Sequence, residues 1–265
     1  MRVRVSAALA AIASFAIGCS SASSNNGQAA VVVSPAAAEA GVAYATTSST
    51  TVLDVYAPTA SGSVVLVLHG GAWLSGSRLE PDMHDVAEAL APHDHTVLVV
   101  DYRLTTEALW PAQVEDGRAA IAWARARFPG RIVGVLGLSA GGTIALELAE
   151  EADFVVAVSA PADLRSPTST SQWGQSLASA FRHDAPFSAA EVESISPALT
   201  PPAKARVLLV HGIADDQVSV SNSDAEYHAL LAAGAQAQYE RVNSDVHGAV
   251  WESVKAELLD FLAAK

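Results

Sequence analysis

From residue 51 onward, short apolar runs alternate with longer stretches in which apolar side chains return every three or four positions. Residues 64–68, 96–100, 131–138, 154–159, 206–210 and 237–242 make up the first kind, and their length and Val/Leu content predict strands. Residues 81–91, 111–128, 140–150, 222–233 and 249–264 make up the second and predict helices. Residues 51–56 alternate polar with apolar, which predicts an early antiparallel edge strand. Strands separated by helices of this length imply an α/β protein whose central sheet is mostly parallel and covered on both faces. Ligands of such sheets collect at the carboxyl ends of the strands.

Two segments break this rhythm. Residues 161–203 are rich in Ser, Pro and Thr, carry Trp173, Phe181 and Phe187, and hold a short helical candidate at 171–181. An insertion of that length inside a compact fold is usually functional, although a plain surface excursion fits the same composition. At the other end, Arg2 and Arg4 precede an apolar run over 5–17 that is too short to span a bilayer, which predicts a signal peptide over 1–18. Ala16-Ile17-Gly18-Cys19 closes it, and Cys19 is the sole cysteine of the chain. A lone thiol at the end of an export signal points to lipidation at Cys19. Residues 19–41, rich in Ser, Asn, Ala and Gly, then read as a flexible tether, leaving 42–265 as one catalytic domain.

The balance of 15 basic against 28 acidic residues, a formal charge of −13, argues against nucleic acid or anionic lipid as a partner. Membrane attachment would come through the N-terminal lipid alone, placing the protein in the cell envelope. The residue after Cys19 is Ser20 rather than Asp, which favours the outer membrane. His84, His93 and His95 lack the i, i+4 spacing of a zinc site and read as surface or loop residues, so neither a metal nor an organic cofactor is expected. No oligomeric state follows from the sequence.

The candidate chemistry sits at strand ends. Gly137-Leu138-Ser139-Ala140-Gly141 falls between a predicted strand and a predicted helix, the setting that turns a Gly-x-Ser-x-Gly string into a nucleophile elbow. His69-Gly70-Gly71-Ala72-Trp73 follows the strand at 64–68 and could present amides to the oxygen of a tetrahedral intermediate. An ordinary glycine turn is the alternative. Downstream, Asp215 and Asp216 follow the strand at 206–210, and His247 follows the strand at 237–242. Either aspartate could orient the histidine, and a solvated pair in a turn fits both. Trp73, Leu138 and Trp251 stand close enough in sequence to these groups to line a substrate pocket.

Taken together, Gly-Leu-Ser-Ala-Gly-Gly, His-Gly-Gly-Ala-Trp, Asp101-Tyr102-Arg103-Leu104, the stretch 111–116 and His-Gly-x-x-Asp resemble α/β-hydrolase esterases. The likeness is to carboxylesterases of the hormone-sensitive-lipase and feruloyl-esterase-like groups and to kynurenine formamidase, over residue 51 to the C-terminus. Leu138 and Ala72 stand where the hormone-sensitive-lipase pattern has Asp and a third glycine. The resemblance implies an α/β-hydrolase fold with residues 161–203 as a small lid. It also implies a triad of Ser139, His247 and Asp215, and an oxyanion hole of Gly71, Ala72 and Ala140. A small lid suggests an open cleft for soluble or polymer-attached esters of small to medium acyl chain. Formamidase, thioesterase and peptidase chemistry use the same apparatus, and a non-catalytic surface-binding lipoprotein could share the fold.

Overall fold

The computed structural model describes residues 36–165, 181, 188–203, 205–243, 246–248 and 251–264, with the backbone alone for 251–254. The predicted signal peptide, Cys19 and the start of the predicted tether lie outside these residues. So do Trp173, Phe187 and the helical candidate at 171–181 apart from Phe181.

Along each strand successive side chains point to opposite faces, so an unbroken Val/Leu run is at home only in a sheet covered on both sides. Eight strands meet this condition to different degrees: β1 Glu39–Ala43, β2 Val52–Tyr56, β3 Val64–Leu68, β4 Thr96–Val100, β5 Val133–Leu138, β6 Phe154–Val158, β7 Arg206–Gly212 and β8 Gln236–Val242. They pair in the order β1-β2-β4-β3-β5-β6-β7-β8, with β1 and β2 antiparallel and all pairs from β4 to β8 parallel. Between them lie α1 Pro81–Leu90, α2 Ala112–Arg127, α3 Ala140–Glu147, α4 Ala189–Ser194, α5 Ser221–Ala233 and α6 Trp251–Ala263.

The strand β3 shows how the layers form. Val64, Leu66 and Leu68 enter one core with Ile121 of α2, Ile144 of α3 and Leu230 of α5. Val65 and Val67 enter the opposite core with Met83 and Leu90 of α1 and Phe261 of α6. Each such side chain, fully withdrawn from water, contributes about 1.5–3 kcal/mol. This is the α/β-hydrolase fold, and β3, β5, β7 and β8 all end at the rim where the candidate residues lie.

Two expectations need correction. The edge strand is β1 rather than residues 51–56, which form the second strand, and β1 takes residues 39–41 from the predicted tether. Glu39–Ala43 is mostly exposed and interrupted by a register shift against β2, so it carries no apolar alternation to read. Backbone pairing and a bond from the Gly41 amide to Asp54 Oδ1 at 2.7 Å hold it instead.

Of the insertion, α4 begins with a reciprocal capping box between Ser188 and Glu191. The Ala198 amide bonds the Ala162 carbonyl and ties the segment back to the end of β6.

Candidate active site

Ser139 occupies the one-residue joint between β5 and α3, with φ 51° and ψ −118°. A side chain there is held in a sparsely populated region at a cost of about 1–3 kcal/mol, sustained by the close packing around it. A β-carbon on Gly137 would stand 2.0 Å from the Gly141 carbonyl oxygen, so the strand and helix can approach this closely only with glycine. The Ser139 amide bonds the Val158 carbonyl of β6, and Thr143 Oγ1 donates to the Pro161 carbonyl, locking the start of α3 against the next strand end.

His247 Nε2 stands 2.8 Å from Ser139 Oγ across a separation of 108 positions in sequence. Its Nδ1 lies 2.8 Å from Asp215 Oδ2 and 3.0 Å from Oδ1. With Nδ1–H donating to the carboxylate, Nε2 keeps a free lone pair for the serine proton. Asp216 is exposed, and among the described residues its Oδ1 accepts from the His247 backbone amide at 3.3 Å and not from the ring. Of the two adjacent aspartates, Asp215 orients the ring.

The side chain of Asp215 is fully buried. Burial pushes its pKa up, but hydrogen bonds from His211, His247 and the amides of Gln217 and Val218 outweigh that push. They hold the carboxyl well below the usual carboxylate range. His211 has no assigned role in the sequence reading. It lies on β7, is fully buried, and places Nε2 2.9 Å from the Val218 carbonyl and 3.5 Å from Asp215 Oδ2. Its Nδ1 stands 2.7 Å from Ser223 Oγ on α5. The His of His-Gly-x-x-Asp was the available signal: a polar residue closing an apolar strand four positions before the acid.

The loop after β3 is held from several sides. Gly71, Ala72 and Trp73 have φ of 109°, 51° and 60°, a run of left-handed residues that reverses the chain beside Ser139. The amides of Leu74 and Ser75 both bond the Gly71 carbonyl, and Thr105 bonds the Trp73 carbonyl. The His69 ring stacks on Tyr102 at 4.2 Å, and the Tyr102 hydroxyl donates to the His69 carbonyl. No described group accepts from the amides of Gly71, Ala72 or Ala140, and Ala140 is the first residue of α3, where amides have no partner within the helix.

The residues 101–104 and 111–116 brace this arrangement. Arg78, after the loop, is clamped between Asp54 and Asp101. Arg103 pairs with Asp116 of α2, which is almost wholly buried, and Gln113 donates to the carbonyls of Arg103 and Ala108.

A cavity of about 570 Å³ opens onto the serine, lined among others by Gly71, Ala72, Leu138, Ser139 and His247. Leu138 is therefore a cleft residue, as expected. Trp73 is not: it is fully buried, and its ring packs edge-on against Phe181 at 4.8 Å and Trp110 at 6.4 Å. Its left-handed backbone turns the side chain into the core while the loop faces the cleft. Trp251 begins α6, and its side chain lies outside the described residues. His95 lies in the loop before β4, one of the two placements expected, and is buried there, with Nδ1 2.7 Å from Ser63 Oγ.

The chain is similar to known proteins over parts of its length. The family model described as prolyl oligopeptidase family matches residues 112–264, and that described as BD-FAE matches residues 53–154. Among curated proteins the chain is similar to Esterase LipC of Mycobacterium tuberculosis, 38% identical over 100 residues, covering 34% of this chain and 25% of LipC. It is also similar to Esterase LipI of the same organism, 40% identical over 102 residues, covering 35% of this chain and 30% of LipI. The chain thus matches less than a third of the length of either relative. Among solved structures it resembles a truncated form of carbohydrate esterase from gut microbiota. The TM-score is 0.77 at 22% identity, covering 84% of this chain and 94% of the other.

Proposed function

The chain belongs to the prolyl oligopeptidase family, and from that premise we propose that it is a serine hydrolase of carboxylic esters with small to medium acyl chains. The observation that carries the reading is the contact of Ser139 Oγ with His247 Nε2, backed by Asp215. Ser139 attacks the ester carbonyl as His247 takes its proton, and Asp215 holds the ring in the tautomer with a bare Nε2 and stabilises the imidazolium. The amides of Gly71, Ala72 and Ala140 donate to the oxygen that gains charge. His247 returns the proton to the leaving alcohol, then activates a water that releases the acid. The named esterases among the similar proteins favour an ester over an amide as substrate.

Peptide bond cleavage is the second reading, because the matched family is described by an oligopeptidase. A panel of acetyl, butyryl, octanoyl and feruloyl esters, a formamide and a prolyl p-nitroanilide separates them. Ester turnover at least 100-fold above the anilide, lost in Ser139→Ala, supports the esterase. Anilide turnover above every ester replaces it with the peptidase.

Cys19 is, in the same reading, the lipid attachment point that keeps the enzyme at the cell envelope. Incorporation of labelled palmitate into the native protein but not into Cys19→Ser tests this.

A further inference from the structure

Asp215 lies between two imidazoles, and each imidazole has a serine behind it. On the open side the order is Ser139, His247, Asp215; on the buried side it is Ser223, His211, Asp215. The buried arm has a fixed direction. A carbonyl can only accept, so the Val218 oxygen at 2.9 Å requires His211 Nε2 to carry the proton. Nδ1 of the neutral ring then accepts from the Ser223 hydroxyl. That leaves the Nε2–H shared between Val218 and the carboxylate of Asp215 at 3.5 Å. His211 is fully buried and Ser223 nearly so, which rules out a second nucleophile.

We propose that His211, with its tautomer set by the Val218 carbonyl, is a positioning residue that takes up part of the Asp215 charge and thereby sets the pH at which His247 becomes a free base. The proposal rests on the triad reading above. With the His211 N–H in place, the carboxylate divides its charge between two rings and the amides of Gln217 and Val218. Without it, His247 receives a larger share. The imidazolium is then better stabilised, the ring keeps its proton to higher pH, and the base form needed for attack appears later. Among the described residues, the other charged groups at this cleft are Asp216, which meets the His247 backbone amide, and Glu80 and Asp82, which line it. Substituting His211 or Ser223 leaves all three in place.

The test is an NMR titration of the His247 ring in the native protein, Ser223→Ala, His211→Phe and His211→Gln, with the pH dependence of kcat/KM on p-nitrophenyl acetate alongside. Ser223→Ala removes one hydroxyl and leaves the Val218 acceptor in place, so its midpoint should stay close to native. The expected result is an upward shift of the ring's titration midpoint and of the acid limb by about half a unit to one unit in His211→Phe. On the acid limb kcat/KM should fall by the same factor, about three- to tenfold, and above the midpoint it should change little. His211→Gln, which retains a donor, should restore most of the native midpoint. A folded His211→Phe with the native midpoint, or a His211→Gln whose midpoint departs from native as far as that expected of His211→Phe, overturns the proposal. The ring titration needs no turnover, so an inactive native protein would refute the esterase reading and still leave this one decided.

Discussion

Asp215 receives the Nδ1–H of His247 at 2.8 Å, whereas Asp216, next in the chain, reaches only the backbone of the same histidine. The two carboxylates should therefore separate sharply on substitution. Asp215→Asn would present an amide to Nδ1 and favour the wrong tautomer, so kcat/KM is expected to fall about 10⁴-fold. Asp216→Asn should stay within about tenfold of native, because it alters a loop tether and not the ring. Steady-state kinetics of the two purified variants decides this, and the reverse order would assign the acid to Asp216.

Gly71 tests the loop beside the serine. A β-carbon there would stand 2.1 Å from the Ser75 carbonyl oxygen, at a φ of 109° that side chains rarely adopt. Gly71→Ala must displace the loop and with it the amides beside Ser139. The expected loss is about 100-fold in kcat with KM little changed, in a protein whose near-ultraviolet circular dichroism is native. Unaltered kcat would remove this loop from the oxyanion hole.

Stability should fall as pH rises through neutrality. Burial pushes Glu226 up to about 8 and Glu147 up to about 7, and among the described residues neither Glu226 oxygen nor Oε1 of Glu147 has a hydrogen-bond partner. Both folded-state values exceed the unfolded one, so the native state binds more protons between roughly pH 4.5 and 8, and unfolding free energy declines across that window. Thermal melts should show Tm at pH 8.5 several degrees below that at pH 5.5, and Glu226→Gln should remove most of the slope. A native slope retained by Glu226→Gln would place the cause elsewhere.

The Arg103–Asp116 pair should matter for folding more than for chemistry. Asp116 is 2% exposed and Arg103 17%, and the pair fixes the segment after β4 to α2. Asp116→Asn leaves the largely buried guanidinium with the exposed Glu115 at 3.4 Å as its counter-ion, at a cost of about 3 kcal/mol, read as a lower midpoint in urea unfolding. kcat of the folded fraction should remain within about threefold of native. A midpoint equal to native would show that the pair is not a brace.

How far the sequence speaks depends on which physical signal each element carries. The parallel strands β3 and β4 are legible to the residue because burial on both faces demands an unbroken Val/Leu run. The strand β1 is not, since most of its five residues are exposed and its hold on β2 is made by backbone groups that leave no mark on side-chain choice. At the site, Ser139 and Gly71 are legible because the turn and the close approach admit few residues. Asp215 and Asp216 are not separated by residue type or spacing, and only the resemblance selects Asp215, because the physical choice rests on which carboxylate turns inward to the amides of Gln217 and Val218. Trp73 misled for the complementary reason: its position beside the loop is local, but the direction of its side chain is set by Trp110 and Phe181, distant in sequence. His211 carried a signal as the His of His-Gly-x-x-Asp, but its role shows only once Ser223 and Val218 are brought beside it.

The central claim is that Ser139 is a nucleophile activated by His247. Treatment of the protein with a fluorophosphonate, followed by intact mass and peptide mapping, tests it without knowledge of the natural substrate. The account predicts one adduct per chain, on Ser139, absent from Ser139→Ala and at least 100-fold slower to form in His247→Ala. A native protein that stays unmodified, or one labelled at another residue while Ser139 remains free, would contradict it.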